Sequence, residues 1–219
     1  MIGVFDSGRG GVFAAKRIAA AMPRLDIAYL ADRKNAPFGN KSQSEILSFA
    51  MNDIDRLISL GAEKILIACC TASTVFEGLP EKYRRICLPI IKPVARRVSL
   101  LGAKRIGIVA TEATVRSRAF DREIKSLIPE AVILSLAMPS LVYKVEAGLD
   151  TAPEVKIIKD TFTEGKCDAL VLGCTHFSAV KEDAARLFEG IEIIDSAEVA
   201  ADEIINKTEN KGTGKILYM

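Results

Sequence analysis

Seven short apolar runs punctuate the chain, at residues 2–5, 27–30, 65–68, 106–109, 132–136, 169–172 and 191–194. They are rich in Ile, Val and Leu and are continuous rather than alternating, the pattern of strands covered on both faces. Amphipathic stretches between them predict helices over 11–22, 42–61, 93–101, 114–127, 140–147, 153–164, 179–188 and 197–206. The clearest opens on Ser42-Gln43-Ser44-Glu45, a capping box in which the serine caps the chain and Glu45 reaches back. Ile46, Phe49, Ala50, Ile54, Leu57 and Ile58 then fall on one face, and Gly61 supplies a stop. Strand–helix alternation predicts an α/β fold with mostly parallel sheet.

The chain also resembles itself. Ile2-Gly3-Val4-Phe5-Asp6-Ser7 recurs loosely as Ile106-Gly107-Ile108-Val109-Ala110-Thr111. Ile65-Leu66-Ile67-Ala68-Cys69-Cys70-Thr71 recurs as Ala169-Leu170-Val171-Leu172-Gly173-Cys174-Thr175. The offsets are 104 (Ile2 to Ile106) and 105 (Cys69 to Cys174). Either buried strands simply look alike, or the chain holds two similar α/β halves of about 100 residues. On the second reading a boundary falls near Lys92-Pro93. One domain then takes residues 1–92 plus about 196–219, the other 93–195.

Composition narrows the class of protein. Of 219 residues, 30 are Lys or Arg and 28 Asp or Glu, a net charge of +2, which argues against a dedicated nucleic-acid binder. Arg84-Arg85 and Arg96-Arg97 read as solvated faces. An apolar share of 49% is enough for a real core and too much for a disordered chain. No run approaches the ~20 apolar residues that cross a bilayer, and Met1-Ile2-Gly3-Val4-Phe5-Asp6 lacks the basic start of a signal peptide. The five cysteines form an odd set with no CxxC, which suits a reducing cytoplasm better than a disulfide framework. His176 is the single histidine, so Cys174-Thr175-His176 offers two metal ligands at most and no metal site is expected.

Both Cys-Thr pairs, Cys70-Thr71 and Cys174-Thr175, sit just after an apolar strand. Ligands of open α/β sheets bind at the carboxyl ends of strands, so each half would bring a thiol to its functional edge. A helix starting after each cysteine would draw the thiol pKa down toward neutrality. Cys87 and Cys167 lack this context and read as small buried hydrophobes. Cys70 directly follows Cys69 and stays ambiguous. Phosphate readings fail. Phe13 stands where GxGxxG needs its third glycine, no GxxxxGK[ST] exists, and no arginine follows Cys69 within the Thr71–Phe76 stretch. The turn Asp6-Ser7-Gly8-Arg9-Gly10-Gly11, between strand and helix, can present backbone N–H groups to a carboxylate.

These motifs reach a family. Phe5-Asp6-Ser7-Gly8, with Gly10-Gly11, resembles the opening motif of glutamate racemases in the aspartate/glutamate racemase superfamily. Asp32 followed by Ala36-Pro37-Phe38-Gly39 is similar to the family's second loop, with Phe38 where Tyr is usual. Ala68-Cys69-Cys70-Thr71-Ala72-Ser73 resembles its first cysteine motif, and Leu172-Gly173-Cys174-Thr175-His176-Phe177 its second. Ala110-Thr111-Glu112-Ala113-Thr114 resembles its mid-chain threonine segment, and Leu141-Val142-Tyr143-Lys144-Val145-Glu146-Ala147-Gly148 the helix bearing its active-site glutamate. Six motifs run in family order over nearly the whole chain.

The resemblance implies two similar three-layer α/β domains, pseudo-symmetric, with a small amino-acid substrate in the cleft between them and no cofactor. It implies Cys69 and Cys174 as the two acid–base groups, Cys69 acting on the D-enantiomer and Cys174 on the L-enantiomer. Asp6 would assist Cys69, and His176 and Glu146 would assist Cys174. Substrate contacts would come from Asp6, Ser7, Phe38, Gly39, Cys70, Thr71, Thr114, Thr175 and His176. The implied product is D-glutamate for peptidoglycan, and the family allows a homodimer. Three further features depart from the pattern: Cys70 replaces the usual Asn, Arg9 replaces a small apolar residue, and Ser178-Ala179 replaces Pro-Leu. A thiol is a poorer hydrogen-bonding group than an amide. The alternatives are therefore a racemase of another acidic amino acid such as aspartate, or a binding homologue without turnover. A redox role for Cys69-Cys70 is a weaker third.

Overall fold

The computed structural model describes residues 1–163 and 166–219. The first part of the chain forms β1 (Ile2–Asp6), α1 (Val12–Ala21), β2 (Ile27–Ala31), α2 (Gln43–Ser59), β3 (Lys64–Ile67), α3 (Cys70–Ser73), α4 (Glu81–Arg84), β4 (Cys87–Pro89) and α5 (Ile91–Leu100). Then come β5 (Arg105–Ala110), α6 (Glu112–Ser117), α7 (Ala119–Leu127), β6 (Val132–Ala137), α8 (Pro139–Ala147), α9 (Ala152–Phe162), β7 (Ala169–Gly173), α10 (Lys181–Leu187) and β8 (Glu192–Asp195). The chain closes with α11 (Ser196–Asn206) and β9 (Ile216–Tyr218). Short 3₁₀ turns span Phe38–Asn40, Phe76–Gly78 and Thr175–Val180.

The strands form two sheets, ordered β4-β3-β1-β2-β9 and β6-β5-β7-β8, and every pairing is parallel. Read from the other edge, the second sheet runs β8-β7-β5-β6, the same order as β4-β3-β1-β2. The two halves thus repeat one topology. Their registers fix which residues correspond. Gly3 pairs with Ile65 in the first sheet, and Gly107 with Leu170 in the second. Superposing Gly3 on Gly107 sets Ile65 on Leu170, an offset of 105 (170 − 65), and carries Cys69 onto Cys174. The ambiguity left by Cys70 is resolved: it lies one residue past the equivalent position. Both glycines exist for the same reason. A Cβ at Gly3 would lie 2.9 Å from Leu57 of α2, and one at Gly107 2.8 Å from Phe162 of α9.

The core follows from this doubling. One apolar cluster lies between the sheets, where Ile18 of α1, Val94 and Val98 of α5, Ile124 of α7 and Ile204 of α11 meet Val4, Leu66, Ile106 and Ile108. A second lies beneath α2 on the far face of the first sheet, and a third beneath α9 on the far face of the second. The central strands of each sheet are covered on both faces, which is why they read as unbroken apolar runs.

Several expectations need correction. The strand at 132–136 is not covered on both faces: β6 is an edge strand whose Val132 is 50% exposed. The stretch 114–127 is two helices, broken at Arg118 in the left-handed region (φ 53°). The helix expected from residue 93 starts at Ile91, since Pro93 in a first turn forfeits no intrahelical hydrogen bond. The helix expected over 179–188 begins as the 3₁₀ turn Thr175–Val180. That over 153–164 ends at Phe162, and residue 164 lies outside the described residues. Strands β4 and β9, three residues each, were not expected. The Ser42/Glu45 capping box is present, and Gly61 follows α2 with φ +91°. Among the described residues no helix is long and apolar enough to cross a membrane.

Candidate active site

Four strands, β1, β3, β5 and β7, direct their carboxyl ends to one cavity of about 550 Å³. Cys69 and Cys174 both line it, one from each sheet, and both are buried. Ser7, Phe38, Gly39, Cys70, Thr71, Glu146, Thr175 and His176 line it as well. Asp6 and Thr114 do not. Asp6 is fully buried behind the wall, and Thr114 is turned into a cluster of hydroxyls. Cys87 and Cys167 are buried away from it. Among the described residues no group of three or more His, Cys, Asp or Glu side chains could hold a metal ion.

Around Cys69 the arrangement is polar but closed. Its sulfur lies 3.1 Å from Ser7 Oγ and accepts the Ala72 N–H at 3.3 Å, so the thiol caps α3. Asp6 makes no hydrogen bond to it among the described residues. One Asp6 oxygen accepts the Gly8 N–H (2.8 Å), and the other accepts the Thr175 hydroxyl (2.8 Å). The expected drop in thiol pKa is not found at this residue. Burial, and then the Asp6 charge, push Cys69 up to about 12, and the four-residue α3 is too short for its dipole to prevent this. Burial, followed by the neighbouring cysteines, holds Cys70 well above the usual thiol range too.

Around Cys174 the arrangement is ionic. His176 Nδ1 lies 3.6 Å from the sulfur, and His176 Nε2 lies 2.5 Å from Glu146 Oε1 on α8. Burial opposes a charge on the imidazole, but Cys174, Asp6 and Glu146 outweigh it and raise His176 to about 10. At neutral pH the ring is therefore an imidazolium with two N–H donors. Burial also pushes Glu146 up, yet the bonds from His176 and from the Arg9 backbone N–H (3.1 Å) hold it below its ordinary value. The turn after β1 does present N–H groups to carboxylates, but those of Gly8 and Arg9 are taken by Asp6 and Glu146.

The two halves are tied across the cavity by hydroxyls. Thr71 lies 2.9 Å from Thr111 and 3.2 Å from Thr114, while Thr175 reaches back to Asp6. The loop bearing Phe38 and Gly39 is anchored by Asp32, whose carboxylate accepts both the N–H and the side-chain amide of Asn35. Behind Asp32, Asp53 of α2 is buried and pushed up to about 7, chiefly by burial and then by Asp32. Sequence reading missed Arg33, Asn40, Thr111, Glu112, Pro139, Val142 and Tyr143 as cavity residues. Thr111, Glu112, Val142 and Tyr143 fall inside the quoted motifs, which was the available signal. It also missed Tyr29, whose buried phenol donates to the Gly8 carbonyl at 3.2 Å and whose ionisation burial suppresses.

A doubled parallel α/β protein with one thiol from each half at a shared cavity is the class that fold and site define. Comparison with known proteins makes it specific: residues 18–204 match the family described as Asp/Glu/Hydantoin racemase, and the chain belongs to that family. It is 32% identical over 220 residues to the glutamate racemase of Aquifex aeolicus, covering 98% of this chain and 86% of that one. The crystal structure of the Francisella tularensis glutamate racemase with D-glutamate superposes with a TM-score of 0.86 at 28% identity, covering 99% of this chain and 86% of the other. The Bacillus anthracis glutamate racemase isoform RacE1 superposes with a TM-score of 0.87 at 29% identity, covering 100% and 86%.

Proposed function

We propose that this protein interconverts L- and D-glutamate by removing the Cα proton with one of Cys69 and Cys174 and delivering a different proton from the other, using no cofactor. The observation that carries the proposal is the equivalence of the two thiols: each ends the same strand of a repeated sheet, and both line one cavity. Racemisation needs a base on one face of Cα and an acid on the other, and two thiols sharing one proton supply both. A thiolate at Cys174 takes the proton from the L-enantiomer while the Cys69 thiol delivers one to the opposite face. The reverse reaction exchanges the roles.

The surroundings differ as those roles require. The His176 imidazolium offsets negative charge on the Cys174 sulfur, and Glu146 holds the ring in place. Asp6 and burial favour a protonated Cys69, with the Ser7 hydroxyl at its sulfur. Ser7, Thr71 and Thr175 supply hydroxyls for the substrate's α-amino and α-carboxylate groups. Asp6 and Thr114 act from behind, by holding Thr175 and Thr71. The division into residues 1–92 with about 196–219, and 93–195, is the one we adopt; pairing of β9 with β2 supports it. The five free cysteines support a cytoplasmic setting, where D-glutamate would enter peptidoglycan synthesis.

The test is racemisation of L-glutamate and of D-glutamate, followed by circular dichroism. Wild type should bring either enantiomer to the racemate. Cys69→Ala and Cys174→Ala should each abolish both directions, by at least about 10³-fold. Racemisation retained by either variant would refute the two-thiol mechanism.

A further inference from the structure

Four charged side chains besides His176 line the cavity: Arg9, Arg33, Glu112 and Glu146. Both acids are engaged, Glu146 with His176 at 2.5 Å and Glu112 with Arg116 at 3.5 Å. Among the described residues neither arginine joins any ion pair, and neither guanidinium donates a hydrogen bond. Two unpaired positive charges therefore stand at the same cavity as the thiols. They also stand at a particular level of it. Cys69 and Cys174 are only 5% and 7% exposed, whereas Arg9 and Arg33, like Glu112 and Glu146, are exposed, so the thiols form the floor and the four charged side chains the mouth, where the arginines are the ones without an ion-pair partner among the described residues.

This layering constrains a bound amino acid. On the racemase reading, on which the inference rests, Cα must lie between the two sulfurs. Its amino and carboxylate groups are fixed to Cα and stay near the floor, so the far end of the side chain is what reaches the mouth. A neutral end would leave both guanidiniums to water. An anionic end would meet them with charge-assisted hydrogen bonds, and a planar carboxylate suits the guanidinium fork. We infer that Arg9 and Arg33 are specificity residues that read the distal carboxylate of the substrate, selecting an acidic amino acid over the neutral amide of the same shape. Arg9 carries a second connection, since its backbone N–H holds Glu146. Arg33 makes no such contact and is the cleaner probe of the two.

The experiment compares L-glutamate with L-glutamine, which match in shape and differ in charge, by α-proton exchange in D₂O. Wild type should favour glutamate by about 100-fold or more in kcat/KM. Arg33→Gln, and more strongly Arg9→Gln with Arg33→Gln, should raise KM for glutamate by about tenfold per charge removed. The loss should fall on KM rather than kcat, and the preference over glutamine should narrow by the same factor. Arg33→Lys, which keeps the charge but not the fork, should recover part of it, which a merely structural role would not do. An unchanged glutamate KM in the double variant, with wild type still discriminating, would overturn the inference while leaving the racemase reading intact. No exchange by folded wild type with either amino acid would overturn both.

Discussion

His176 sets the charge balance of the cavity. A ring raised to about 10 carries its proton at neutral pH, between the Cys174 sulfur and the Glu146 carboxylate. Because the folded value lies above the ordinary 6.5, this ion pair contributes stability fully below about pH 6.5 and loses it as pH rises through about 10. Activity should share that alkaline limit. The enantiomers have equal free energies, so kcat/KM must be equal in the two directions at every pH. On the proposed two-thiol mechanism both directions draw on enzyme in which the thiol pair holds one proton, and the alkaline fall should therefore coincide for L- and D-glutamate. Glu146→Gln keeps an acceptor for the ring but removes its charge. We expect kcat to fall by about tenfold and the alkaline limb to move to lower pH, read from pH–rate profiles in both directions. A profile unmoved by the substitution would show that Glu146 is only a surface acid. Cys69, Cys174, Glu146 and His176 could be singled out from the sequence because their motifs are local. Tyr29 could not, nor could the Arg9 N–H bond to Glu146, which joins positions 137 residues apart. Asp6 was legible as important but not as lying behind the wall, since only the fold reveals that the Thr175 hydroxyl bonds to it.

At the scale of elements, the turn between β1 and α1 is a place where the halves meet closely. A Cβ on Gly10 would lie 2.4 Å from Thr175 Oγ1 and 2.7 Å from the His176 backbone nitrogen. Neither atom can move without disturbing the bond to Asp6 or the ring beside Cys174. Gly10→Ala should thus separate the two thiols slightly while leaving each sheet folded. An activity loss of about 100-fold with native far-ultraviolet circular dichroism is the expected result. Near-normal activity would mean that the contact yields freely. Element boundaries were legible where local chemistry sets them, as with the Ser42 capping box on α2. They were not legible where tertiary position decides. β6 carries the same Val, Ile and Leu composition as a central strand, yet it lies at a sheet edge with Val132 half exposed. β9, three residues long, is a strand because β2 offers it a free edge.

The whole molecule is one unit of structure used twice. Its repeated strand order sets Cys69 and Cys174 at equivalent sites, and the helices between the sheets join both halves in one apolar core. The sequence repeat was legible because buried parallel strands need continuous apolar runs and a glycine where a helix side chain presses in. It left open which cysteine of the Cys69-Cys70 pair matches Cys174, since that depends on register and not on similarity. The equivalence of these two thiols on opposite sides of one substrate is the central claim. It is tested most directly by the first turnover in D₂O, starting separately from L- and D-glutamate and read by proton NMR and mass spectrometry. Two thiols on opposite faces predict that the product enantiomer carries solvent deuterium at Cα from the outset, while unreacted substrate keeps its proton, in both directions. Product that retains the substrate's own proton would mean a single base serving both faces and would contradict the account.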